Sequence, residues 1–137
     1  MNGDGRHVSG VWYGRWSSED PLVYPNSFIA VLEETGGAVD GTVSETDPEG
    51  PEPMRATVSG GRSGAQIHWI KQYDGGRLSH AVYYAGTVND DATEISGGWR
   101  LEHWSGSFAM RREKFSIEEL EADREIVLTP GDLGPER

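Results

Sequence analysis

From Val8 to Arg112 the chain is a run of eight short segments in which apolar and polar residues alternate, each closed by a turn signal. The segments are His7 to Trp16, Asn26 to Glu33, Ala38 to Glu45, Met54 to Gly60, Ala65 to Tyr73, Ser79 to Val88, Thr93 to Glu102 and Ser105 to Arg112. All are rich in Val, Ile, Thr, Tyr, Phe or Trp, the residues that suit a pleated, half-buried surface. Between them lie Gly36-Gly37, Gly60 to Gly64, Asp74-Gly75-Gly76, Asn89-Asp90-Asp91 and His103-Trp104, which supply hairpin turns. Links this short make neighbours antiparallel, and an open meander would leave two unpaired edges. The expected fold is all-β: an eight-stranded antiparallel up-and-down β-barrel. Trp and Gly occur together in Gly10-Val11-Trp12-Tyr13-Gly14-Arg15-Trp16 and Gly97-Gly98-Trp99, as expected where a wide ring packs against closely approaching backbone.

Two connections are longer and proline-stiffened, Ser17 to Pro25 and Thr46 to Pro53. Both fall at the same end of an up-and-down barrel, which makes that end the expected open mouth; each reads equally as a spacer or as a functional loop. After Arg112 the signals change. Ser116 and Glu119 form a capping box, and Ile117, Leu120 and Val127 or Leu128 make a narrow apolar stripe. The expected organisation is a barrel domain over 1–112, with a short C-terminal helix and flexible tail over 113–137 that is not a separate domain. The helix is expected either to plug one barrel end or to pack on a second subunit, so a homo-oligomer stays open.

With 12 Lys and Arg against 23 Asp and Glu, the net charge of −11 disfavours phosphate backbones and anionic lipid, so neither nucleic acid nor membrane is an expected partner. There is no cysteine, hence no disulfide or thiolate chemistry. No apolar run approaches the length of a membrane span, and a cytoplasmic protein is the expectation. The four histidines lack metal-ligand spacing, so neither a metal nor a cofactor is expected. Glu33-Glu34 and Glu118-Glu119-Glu121 read as solvated charge.

On Gly10-Val11-Trp12-Tyr13, Gly41-Thr42, Trp69-Ile70-Lys71-Gln72-Tyr73, Gly86, Trp99 and Phe108, taken in order, the chain resembles the avidin and streptavidin family, a calycin-type barrel with its ligand in the lumen. The resemblance implies that Trp69 and Trp99 point inward. Alternation from those anchors lines the lumen with Trp12, Phe28, Ala30, Leu32, Val43, Val82, Tyr84, Phe108 and other apolar residues. The same resemblance implies which positions would bind biotin, and these are Gly14, Val43, Val82 and Gly106, none of which can hydrogen-bond a ureido ring through its side chain. Biotin is therefore not expected.

Polar groups on the inward register gather toward the mouth: Asn26, Glu45, Lys71 and His80, with the Tyr84 hydroxyl deeper. Together with Phe28, Trp69 and Trp99 they are the candidate ligand-binding residues. The leading expectation is a protein that binds a small apolar or aromatic molecule, since apolar walls with a few convergent polar groups are typical of ligand pockets. Tryptophans can equally be core, and a one-residue slip would turn His80 to solvent. A second reading is a barrel cyclase or isomerase with His80, Glu45 or Tyr84 in proton transfer. A third is a protein-interaction module built on the acidic loops and the C-terminal helix.

Overall fold

The computed structural model describes residues 6–47, 50–74 and 81–112; the expected C-terminal helix and tail lie outside them. Eight strands, β1 (Gly10–Ser18), β2 (Asn26–Thr35), β3 (Ala38–Glu45), β4 (Met54–Ser63), β5 (Gln66–Tyr73), β6 (Ala81–Val88), β7 (Glu94–Leu101) and β8 (Trp104–Arg111), follow one another around a closed barrel. Every pairing is antiparallel, and β1 closes the ring by pairing with β8 from Tyr13↔Arg111 to Ser18↔Gly106. Strict alternation along β2, where Phe28, Ala30, Leu32 and Glu34 are buried and their neighbours exposed, sets one face of the sheet to the lumen. The core is the lumen itself, filled among others by Trp12, Val39, Val58, Ile67, Trp69, Ile95, Phe108 and Met110.

Glycines decide how tightly the sheet closes. A Cβ on Gly14 would lie 2.2 Å from the Phe28 ring. One on Gly97 would lie 2.1 Å from the Ala85 carbonyl oxygen, and one on Gly60 would meet the His68 carbonyl oxygen at 1.9 Å and the Trp69 Cα at 2.6 Å. Gly60 and Gly61 were expected in a turn, yet they sit inside β4, which runs on to Ser63. They serve the close approach of β4 to β5, while the turn falls at Gly64, whose φ is +60°. Gly36 and Gly37 do form the expected β2–β3 turn, with φ of +58° and +88°.

His7 to Ser9 was expected to begin the first strand; instead it crosses the end of the barrel opposite the mouth. Val8 is fully buried there, its carbonyl accepting the Trp12 indole N–H at 2.9 Å. Arg112 stacks its guanidinium 4.5 Å from the Trp12 ring and donates to the carbonyls of His7, Ser9 and Ala92. Glu34, expected to be solvated, is buried because the inward alternation of β2 extends to it. Its carboxylate accepts both Arg62 Nε and Nη2 at 2.8 Å, and the Val8 amide at 3.1 Å. Burial pushes the Glu34 carboxyl up, but those hydrogen bonds and the positive charges of Arg62 and His7 outweigh it and hold the group below its ordinary value.

Two outcomes follow from this packing. Gly60→Ala should lower stability by about 1–3 kcal/mol in urea unfolding, because the clash is with backbone that cannot swing away. Glu34 has a depressed folded pKa, so its contribution is complete above the ordinary carboxylate value of 4.5 and is lost as pH falls through the folded pKa. The acid limb of the stability–pH curve should accordingly be shallower in Glu34→Gln than in the wild type.

Candidate ligand-binding site

Packing in the lumen stops part-way along the barrel. The Trp69 ring stacks on Tyr84 with centroids 5.5 Å apart, and Phe108 meets both edge-on at 5.5 and 5.1 Å. The space left among Phe28, Leu32, Val58, Trp69 and their neighbours is about 10 Å³, too small for a ligand. On the mouth side of this aromatic plug the lumen opens into a cup of about 850 Å³. Lys71 and Tyr84 border both spaces, and so mark the floor. A second depression, of about 690 Å³, runs across the outer wall past Tyr13, Arg15, Ile29 and Arg111 rather than into the lumen.

The floor carries charge. Lys71 on β5 and Glu45 at the end of β3 are 3% and 2% exposed, and Lys71 Nζ donates to Glu45 Oε2. Inward alternation along β3 and β5 delivers these side chains to the same level, although β4 separates the two strands. Lys71 also donates to the Tyr84 hydroxyl at 2.9 Å, while the Tyr73 hydroxyl donates to Glu45 Oε1 and Oε2 at 3.0 and 3.1 Å. The ammonium lies 4.7 Å from the Tyr73 ring centre and 5.1 Å from that of Tyr84. Burial lowers the Lys71 pKa against the opposing pull of Glu45. It raises both phenols, with the Glu45 charge adding to the effect, so that Tyr73 and Tyr84 stay protonated donors.

Tryptophans form the wall. Trp99 on β7 crosses β8 at Gly106 and donates its indole N–H to the Ser17 carbonyl of β1 at 3.0 Å. A Cβ on Gly106 would stand 2.6 Å from that indole nitrogen, so the glycine is what allows the ring to lie there. Trp16 meets Trp99 edge-on, centroids 5.8 Å apart, and its own buried indole N–H finds no acceptor among the described residues. Val82 and Leu101 complete the apolar lining, and Tyr24, Asn26, Asp47, Met54, Glu102 and Trp104 surround the mouth. Asn26 pins the two proline-stiffened connections together by donating to the Thr46 carbonyl at 3.0 Å.

Of the eight residues singled out from sequence, Asn26, Glu45, Lys71, Tyr84 and Trp99 line the cup. Glu45 and Lys71 lie buried on its floor rather than at a rim. Trp69 and Phe28, expected among the ligand-binding residues, are packed beneath that floor. His80 lies outside the described residues. Tyr73 and Trp16 were missed, yet the signal was present: each continues the inward register of its strand, Tyr73 after Trp69 and Lys71, Trp16 after Trp12 and Gly14. Gly14 and Gly106, which the avidin resemblance aligns with polar biotin contacts, are here covered by the rings of Phe28 and Trp99.

Comparison with solved structures finds a biogenic amine-binding protein, as its selenomethionine derivative, with a TM-score of 0.58 and 14% identity over 98% of this chain and 77% of that one. The likeness is one of fold. No family model and no curated protein sequence matches the chain.

The energetics of the floor can be separated from its role. Breaking a buried pair strands a charge, whereas removing both partners can be nearly neutral. Lys71→Met should cost roughly 3–5 kcal/mol in denaturant unfolding. Lys71→Met combined with Glu45→Leu should recover most of that loss in the same measurement.

Proposed function

We propose that this protein binds a small, flat, largely apolar molecule in the cup, its rings against Trp16 and Trp99 and its polar end toward Lys71 and Tyr84. The observation that carries this reading is the abrupt change along the lumen, from an aromatic plug with about 10 Å³ of free space to an open cup of about 850 Å³. A barrel built only for stability gains nothing from stopping its core there, since each apolar side chain extended into the cup would contribute roughly 1.5–3 kcal/mol. Ligand sites are concave, mostly apolar, and fixed by a few polar groups, which describes the cup and its floor. The amine-binding neighbour of the same fold supports small-molecule binding in a barrel of this kind.

The isomerase reading would use His80, which lies outside the described residues, or Glu45 or Tyr84 in the same cup. Glu45 is already engaged by Lys71 and Tyr73, and Tyr84 is held well above its ordinary pKa by burial and by the Glu45 charge. With the Glu45 oxygens taken by those partners and the Tyr84 hydroxyl kept protonated, binding is the function that the geometry supports best.

Leu101→Trp places a wide ring in the cup without touching its floor. Nile red, a neutral solvatochromic dye, should show enhanced, blue-shifted emission with the wild type and lose at least about tenfold in affinity with Leu101→Trp, a loss of roughly 1.4 kcal/mol. Equal emission with both proteins would place the dye elsewhere and remove support for the cup.

A further inference from the structure

The buried polar groups of the cup are not symmetrical in what they leave unused. Glu45, the one buried carboxylate among the described residues of the cup, has its oxygens engaged by Lys71 and Tyr73. Lys71 has three hydrogens to donate and places two, on Glu45 and on the Tyr84 hydroxyl. Because the Tyr84 oxygen accepts from Lys71, its own hydrogen is left without an acceptor among the described residues. The Trp16 indole N–H beside the cup is likewise buried and unmatched. The unused capacity on the floor is therefore one of donors converging from Lys71 and Tyr84, 2.9 Å apart.

From this we infer that the ligand class of the cup is a neutral, planar molecule whose inner end is a carbonyl oxygen, received by the Lys71 ammonium and the Tyr84 hydroxyl; the inference rests on the cup being a binding site. A carbonyl oxygen has two lone pairs and can accept both donors at once without disturbing the pair. A ligand ammonium would have to take Glu45 from Lys71, leaving a lysine charge buried with no counter-ion. A ligand carboxylate could use the donors, but it must pass Asp47 and Glu102 at the mouth of a chain whose net charge is −11, and settle beside Glu45. A wholly apolar ligand would cover both donors and offer them nothing, which is the costly outcome for a buried polar group.

Four probes on one ring system separate these cases: 2-acetylnaphthalene, 2-ethylnaphthalene, 2-(aminomethyl)naphthalene and 2-naphthoate, titrated into the full-length protein by calorimetry. The ketone should bind about tenfold more tightly than the ethyl compound, as one or two buried hydrogen bonds would give. Tyr84→Phe should remove most of that advantage, weakening the ketone and sparing the ethyl compound the cost of covering an unmatched hydroxyl, and the infrared carbonyl stretch of the bound ketone should shift to lower frequency in wild type more than in Tyr84→Phe. Tighter binding of the amine or the carboxylate, or equal binding of ketone and ethyl compound, would overturn the carbonyl assignment while leaving the cup a binding site. Failure of all four probes to bind would overturn the binding reading itself, and the assignment with it.

Discussion

A lysine and a glutamate taken out of water together determine where this barrel stops being core. Either charge alone would be prohibitive in the lumen, and the pair is tolerated because each partner is also hydrogen-bonded, Glu45 by Tyr73 and Lys71 to Tyr84. Below that level the lumen must be dry and full, and the Trp69, Tyr84 and Phe108 rings make it so. Above it the walls are apolar and the space is open. The pair thus sets a boundary between stability and recognition, and it belongs to both.

Holding that boundary in place depends on how closely the strands approach. Rings as wide as Trp99 and Phe28 fit only because the positions they lie across, Gly106 and Gly14, have no side chain. The end remote from the mouth is sealed independently, by Val8 over Trp12, by Arg112 across both, and by the Glu34–Arg62 pair. With one end sealed and the middle plugged, the mouth is the route to the lumen that the described residues leave, and the connections after β1 and β3, pinned by Asn26, lie around it.

Much of this was legible in the sequence because period-two alternation is a strong signal when one face is buried. Strand number, order and inward register follow from it, and so do Lys71, Glu45 and Tyr84 as lumen groups. Depth was not legible. Alternation says which way Trp69 and Lys71 point, but not that Trp69 is part of a plug that Lys71 caps, which depends on ring contacts between β5, β6 and β8. Glycine was ambiguous for a related reason: Gly60-Gly61 suits a turn by local chemistry and a close strand approach by tertiary packing, and the second prevails here. Glu34 was misread because an acidic pair looks solvated until the arginine that meets it, 28 residues away, is placed.

The five tryptophans sample every level of the barrel, so their indole N–H resonances test the central claim directly. In a ¹H–¹⁵N spectrum recorded on addition of 2-acetylnaphthalene, the Trp16 and Trp99 indole signals should move in a saturable way, while that of Trp12, sealed beneath Val8, stays in place. Saturable shifts confined to Trp104 and the outer wall, with Trp16 and Trp99 unmoved, would contradict the account of the cup as the ligand site.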